Sequence, residues 1–237
     1  MGKNLIQQRR GKGSSSFRAP SHRYFGEISH KSTGNKEFKG RVIDLVKCPG
    51  HSAPVARVVY DDNEESIMAA PEGLREGQYV FCGETALVEI GNTLPLKNIP
   101  EGTSVYNIEG NPGDGGKFVR SSGVCARVLA QLGKGVVIEL PSKKKKIFNR
   151  ECRANIGVIS GGGRKEKPFL KAGKKYHAMR AKNKLYPSVS GTSMNSVDHP
   201  FGGSSSHTKG RPTQASRNAP PGRKVGKIAP KRTGMLR

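Results

Sequence analysis

The chain has 237 residues, with 42 Lys/Arg against 18 Asp/Glu, a formal net charge of +24 and a pI near 10.2. Only 33% of the residues are hydrophobic, so a compact core is confined to part of the chain. No apolar run approaches the length of a membrane span and no signal segment is expected; the four cysteines form no CxxC pair and read as free thiols in a reducing, cytoplasmic setting.

The charge is unevenly spread. Residues 1–40 carry nine Lys/Arg and two Asp/Glu, residues 41–140 nine and thirteen, and residues 141–237 twenty-four and three. The middle can fold as an ordinary soluble domain, whereas the ends repel themselves unless a polyanion neutralises them. A membrane surface would call for basic helices with bulky apolar faces. The basic ends are instead rich in Gly, Ser and Pro, which favours nucleic acid and no membrane partner.

In chain order, residues 1–36 read as an irregular basic extension, in which Arg9, Arg10, Arg18 and Arg23 offer cations and Tyr24 and Phe25 offer faces that stack on bases. From 37 to 84, Arg41–Val46, Val55–Tyr60, Ser66–Ala70 and Gln78–Cys82 read as short strands separated by tight turns, a small barrel of the oligonucleotide-binding type. From 85 to 160, Ala86–Ile90, Thr103–Ile108, Val124–Leu129, Val136–Leu140 and Asn155–Ile159 predict a second small β-barrel, the two sharing an interface. Lys143, Lys144, Lys145 and Lys146 fit a solvated hairpin or an RNA contact. Residues 161–237 lose all periodicity and form a Gly/Pro-rich basic extension with one short helix around Lys174–Lys182. This stretch cannot bury enough apolar surface to fold alone. The predicted class is mostly β, two barrels with long irregular basic extensions.

Several segments together resemble one family. They are Gly113-Asp114-Gly115-Gly116, Arg120-Ser121-Ser122-Gly123, Glu151–Gly157, Gly161-Gly162-Gly163-Arg164, Lys171-Ala172-Gly173-Lys174, Gly191–Gly203 and Gly222–Gly226. Over nearly the whole chain these are similar to the universal ribosomal protein L2 family of the large subunit. Phe201 and the short basic termini resemble its archaeal and eukaryotic-cytoplasmic branch. Ser196 stands where the family usually has Pro, which changes local stiffness only. The resemblance implies an oligonucleotide-binding barrel followed by an SH3-like barrel, binding to large-subunit ribosomal RNA during assembly, and proximity to other ribosomal proteins. It further implies support of subunit association through a bridge to small-subunit RNA, of tRNA binding, and a C-terminal loop near the peptidyl transferase centre.

The candidate RNA ligands follow the charge. Besides those named above they are Arg150, Arg153, Arg164, Lys165 and Lys167 around the glycine-rich exit from the second barrel; Lys174, Lys175 and Arg180 on the short helix; and Lys209, Arg211, Arg223, Lys224 and Arg232 in the tail. Lys and Arg neutralise phosphates and release counterions, a contribution independent of sequence. The sharpest segment is Val197–Gly203. There an extended backbone around Pro200, with Asn195, Gly202 and Gly203, is expected to thread between RNA helices and let His199 bond a phosphate or a 2′-hydroxyl. His199 as a purely structural residue is the next reading. His199 as a general base is the least supported, because Asp198, its sequence neighbour, would point away from it in an extended loop. No enzymatic activity is expected.

Two other motifs fail on inspection. Gly110–Phe118 resembles a phosphate loop, but the glycine spacing is off by one and Phe118 replaces the Ser/Thr. Cys48 and His51 are a lone pair of zinc-type ligands without a second pair. No dedicated cofactor or metal site is expected; Mg2+ bridging the chain to RNA phosphates is compatible with the pattern.

Overall fold

The structure, a computed structural model, describes residues 4–32, 36–203 and 213–230. The expected RNA ligands Lys209, Arg211 and Arg232 lie outside the described residues. The chain forms two compact units, a body of residues 21–168 and an arm unit that combines residues 1–20 with 169–237.

The body is mostly β. β1 (Phe38–Val46), β2 (Val55–Tyr60), β3 (Glu65–Ala69) and β4 (Tyr79–Cys82) make its first half. β5 (Thr93–Pro95), β6 (Ser104–Tyr106), β7 (Ala126–Leu132), β8 (Gly135–Glu139), β9 (Lys145–Phe148) and β10 (Arg153–Ile156) make the second. All ten join in one sheet of order β3-β2-β1-β4-β5-β10-β6-β7-β8-β9. Ala56, Val58 and Tyr60 at alternate positions of β2 pack one face inward. Register slips between Val42 and Asp44 in β1, and between Val128 and Ala130 in β7, bend those strands around their cores.

Three clusters of buried side chains result. Val42, Val58, Met68 and Val80 centre the first half, and Leu94, Leu96, Val128 and Ile138 centre the second. A third, containing Ile28, Val55, Tyr106 and Ile159, joins them. The halves are also stitched in the sheet by the parallel pair Cys82–Thr93 between β4 and β5. Asn92 adds to that seam, accepting from the Phe81 N–H at 2.8 Å and donating to the Leu87 carbonyl at 2.9 Å.

That seam explains one failed expectation. Ala86–Ile90 is not a strand. β4 and β5 pair with each other directly, so the segment between them is a connection with no edge to join. Two strands of the body were not expected. β5 is only three residues long and ends in proline. β9 is built from the lysine run, pairing Lys145 with Glu139 and Phe148 with Val136. Lysines on the last strand of a sheet suit an exposed edge that must not recruit another chain.

The irregular N-terminal extension contains more order than its composition suggests. α1 (Ile6–Gly11) is a short helix in the arm unit. In the body, residues 28–31 form a strap across both halves, with Ile28, His30 and Lys31 buried. Ser29 N–H donates to the Ile67 carbonyl of β3 and His30 N–H to the Gly115 carbonyl of the second half. Lys31 is 3% exposed, and its ammonium pairs with Asp62 and Glu64 beside the rings of Phe38 and Tyr60. Burial opposes its charge, but the two carboxylates outweigh burial and hold the lysine above its ordinary pKa. Arg120 donates to the Ile28 carbonyl at 2.8 Å, and Arg153 to the Lys31 carbonyl.

The arm unit is built differently. It contains α1, α2 (Ala172–Arg180) and a two-residue parallel pairing of β11 (Gln214–Ala215) with β12 (Lys227–Ile228). The Asn183 side chain donates to the carbonyls of Ser15 (3.2 Å) and Arg18 (2.8 Å), and Gln7 to that of Pro221, tying the N-terminal segment to the C-terminal one. Among the described residues of this unit, Pro20 and Ala215 are the buried apolar side chains.

The strap yields a pH test. His30 is buried, with Nε2 2.7 Å from the Asn107 carbonyl oxygen. Burial is the main cause that lowers its pKa to about 4; Glu109 opposes the shift, while Arg153 and Arg120 add to it. The folded state therefore resists a proton that the unfolded chain accepts below about 6.5. The strap's contribution is intact above that pH and is lost as pH falls towards 4. Relative to His30→Gln, the wild-type chain should lose on the order of 3 kcal/mol between those limits. Urea unfolding followed by circular dichroism measures this, and parallel pH profiles would refute it.

Candidate nucleic-acid interface

The distribution of charge between the two units is the main electrostatic fact. Residues 1–20 and 169–237 together carry twenty Lys/Arg and one acidic residue, Asp198. The body carries the other twenty-two cations against seventeen acids, and several of its cations are internally paired. Lys97 pairs with Glu84 and Glu151, Arg57 with Glu65, and Arg153 with Glu109.

Within the body, Arg23, Lys143, Lys144, Lys145, Lys146, Arg150, Arg164, Lys165 and Lys167 are exposed. Lys143 to Lys146 occupy the β8–β9 turn and the edge strand. The Lys146 ammonium lies 4.0 Å from the centroid of Phe118, whose ring meets Phe148 edge-on. Arg164 is exposed as a residue, yet its Nε donates to Ser122 Oγ at 2.7 Å, which fixes the start of the glycine-rich exit.

Arg153 stands apart from the other expected RNA ligands. Its guanidinium is 3.0 Å from Oε1 of Glu109, a carboxylate with no exposed side-chain surface. It also reaches the Lys31 carbonyl, so its charge organises the strap and the loop beneath it. Glu109 accepts the Arg153 backbone N–H at 2.8 Å as well, together with those of Gly113 and Gly115. Truncating one member of such a pair leaves the other charge buried and unmatched.

The Gly110–Phe118 loop is explained by the same chemistry. Asp114 accepts N–H groups from Gly110 (2.9 Å), Asn111 (3.1 Å) and Gly116 (3.1 Å). Burial alone would raise the Asp114 carboxyl; the backbone donors outweigh it and hold the group below its ordinary range. Backbone donors that a phosphate would need are thus engaged by the loop's own carboxylates. Cys48 packs in the third core, with the Phe25 N–H directed at its sulfur at 3.4 Å. Burial pushes the Cys152 thiol up to about 11, which leaves little thiolate at neutral pH.

In the arm unit, Arg9, Arg10, Arg18, Lys174, Lys175 and Arg180 are exposed, and Arg223 and Lys224 are half-buried. Arg223 donates to the Gln214 carbonyl at 3.1 Å, bracing β11. The aromatic residues Phe17 and Tyr186 sit among these cations. The guanidiniums of Arg9 and Arg10 each lie 5.9 Å from the Phe17 centroid, and Lys175 lies 5.3 Å from that of Tyr186. Neither ring stood out in the sequence. The readable signal was the interleaving of single aromatics with basic residues, which the count of charge alone passes over.

The His199 loop is compact rather than extended, which corrects the sequence-based expectation. The N–H groups of Asp198 and His199 both reach the Asn195 carbonyl, that of Gly202 the His199 carbonyl, and that of Gly203 the Met194 carbonyl. A run of turns is the result, with Asn195 and Gly203 exposed, His199 half-buried and Gly202 buried. Two glycines make this possible by close approach. A Cβ on Gly191 would lie 2.3 Å from the His199 ring, and one on Gly202 would lie 2.3 Å from the Met194 carbonyl oxygen. The His199 ring also leans on Phe201, centroid to centroid 5.2 Å. Its Nδ1 accepts the Phe201 N–H at 3.0 Å. The neutral ring therefore carries its proton on Nε2 and presents a donor.

No helix among the described residues is long and apolar enough to cross a membrane, and no group of three or more His, Cys, Asp or Glu among them is placed to hold a metal ion.

Comparison with known proteins agrees with this geometry. Residues 2–82 match the family model described as ribosomal proteins L2, RNA binding N-terminal domain, and residues 89–219 match that for the L2 C-terminal domain. The mostly β body is consistent with the oligonucleotide-binding and SH3-like barrels that the resemblance implied. The chain is 54% identical over 241 residues to a large ribosomal subunit protein uL2 of Methanothermobacter thermautotrophicus, covering 100% of both chains. It is 50% identical to the uL2 of Methanopyrus kandleri, covering 99% of this chain and 98% of the relative. It is 52% identical to that of Haloquadratum walsbyi, covering 99% and 97%. The two family models span most of the sequence and the relatives match it end to end, so the chain belongs to the ribosomal protein L2 family.

Proposed function

We propose that this chain is a structural, RNA-binding constituent of the large ribosomal subunit, held on ribosomal RNA by its arm unit and seated by its β body beside other ribosomal proteins. The observation that carries this reading is the arm unit itself, with twenty cations, one acid and, among its described residues, two small buried apolar side chains. Nothing inside that unit matches its charge, and a phosphate backbone would. The exposed cations of the arm and of the β9 edge are the proposed phosphate contacts. Arg153 is assigned to the internal clasp instead. Mg2+, where it takes part, bridges the chain to RNA phosphates.

The finer roles rest on family membership: support of subunit association through a bridge to small-subunit RNA, of tRNA binding, and of the peptidyl transferase centre. The turn-rich loop supports an anchoring role for His199. Its Nδ1 is occupied and its Nε2–H is a donor, which suits a phosphate or a 2′-hydroxyl and does not suit a base that must accept a proton. A non-enzymatic chain follows from this reading. A free RNA chaperone shares the charge, but it gives no reason for a loop built around one histidine ring.

Two experiments test the proposal. Footprinting on deproteinised large-subunit RNA should protect one discrete region, and diffuse protection would favour the chaperone. Removing residues 169–237 should flatten the salt dependence of binding, since each lost phosphate contact removes about 0.7 to 0.9 from the slope; an unchanged slope would refute the arm's role. In the loop, His199→Gln keeps a donor and should assemble into subunits with normal peptide-bond formation. Gly191→Ala pushes the ring aside and should destabilise the loop by roughly 1–3 kcal/mol, a typical cost of overpacking, and weaken RNA binding with it. A His199→Gln subunit that assembles and yet cannot form peptide bonds would revive the catalytic reading.

A further inference from the structure

The arm unit contains a cleft that phosphate binding alone does not explain. It encloses about 360 Å³ between α1, the segment around Phe17, α2 and the turn that follows it. Its walls are Phe17, Tyr176 and Tyr186, and its rim carries Arg9, Arg180 and Lys184. The apolar lining is not used up in packing: Tyr176 remains 43% exposed and Leu185 53%. A unit that buries so little apolar surface elsewhere thus leaves aromatic rings open to a cavity bordered by cations. Its floor is bridged by Asn183, whose side-chain amide donates to the Ser15 and Arg18 carbonyls. A second cleft of about 420 Å³ shares Phe17, Asn183, Lys184 and Leu185 and continues past Arg10 and Met179.

We propose that this cleft takes one unpaired RNA nucleotide, its base stacked on the aromatic wall and its phosphate held at the Arg9–Arg180 rim, with the strand running on through the second cleft. The proposal rests on the RNA-binding reading above and deepens it. Rings flanked by guanidinium groups match the two faces of a nucleotide, a flat π-system and an adjoining anion. The base must be unpaired, because a base held in a duplex cannot enter a concave site. The charge decides the class of occupant: in a unit with twenty cations and one carboxylate, the partner is a polyanion. An apolar peptide would fill the walls and leave the rim unmatched.

The test uses the full chain and deproteinised large-subunit RNA, with affinity measured across a salt series. Tyr176→Leu and Phe17→Leu should each bind about tenfold more weakly with an unchanged salt slope, since stacking releases no counterions. Tyr176→Phe keeps the ring and should bind as the wild type does. Ultraviolet crosslinking should join a peptide containing Tyr176, Tyr186 or Phe17 to a single unpaired nucleotide. Wild-type affinity in both leucine variants overturns the proposal, as does a loss accompanied by a shallower slope. A crosslink from this cleft to a neighbouring protein in whole subunits also overturns it, and would leave the broader function standing. Failure of the wild-type chain to protect any discrete RNA region would instead sink that function, and the nucleotide site with it.

Discussion

The arm unit concentrates positive charge on a part of the chain that has almost no core. Ordering each residue costs roughly 1–2 kcal/mol of backbone entropy. Burial of apolar surface is the usual compensation, at about 25 cal/mol per Å². Here one proline and one alanine are the buried apolar side chains of the unit, among its described residues. Backbone turns, the Asn183 bridge and stacked cations set the geometry, but they cannot offset mutual repulsion among twenty cations. Under the proposed function the unit's conformation is conditional on a polyanion, and the body's is not.

The body shows the complementary arrangement. Its acids are placed where they discipline its own loops and cations. Glu109 gathers Arg153 with the Gly113 and Gly115 amides, Asp114 gathers the start of the same loop, and Asp62 and Glu64 hold Lys31. The strap at residues 28–31 and the third core then lock the two β halves together. The body pairs many of its charges internally, and the arm unit has one acid for its twenty cations. Such a division lets a rigid body present a set of arms that take their final form on RNA.

Much of this was legible in the sequence. The β1–β2–β3 meander follows from alternating β-branched residues around the Asp61–Glu64 turn, and α2 appeared within two residues of its expected ends. The charge steps along the chain anticipated arms distinct from a near-neutral centre. What stayed hidden depends on contacts distant in sequence. Ala86–Ile90 has strand composition but no free edge to pair with, and the lysine run joins an edge strand because β8 supplies a partner. Burial of Lys31 requires Asp62 and Glu64, about thirty residues away. The His199 loop looked extended because of Pro200; instead, close approach at Gly191 and Gly202 lets it fold into turns around the ring. The family motifs pointed to this loop, and only its geometry shows a histidine that donates.

Hydrogen exchange on the full chain, with and without large-subunit RNA, tests the central claim most directly. The account predicts that amides of residues 38–156 in the strands are protected in both states. Amides of residues 4–20 and 169–203 should exchange at nearly unstructured rates in the free chain and become protected when RNA binds. Arms protected to the same degree in the free chain would contradict it, because they would then be held by interactions within the protein.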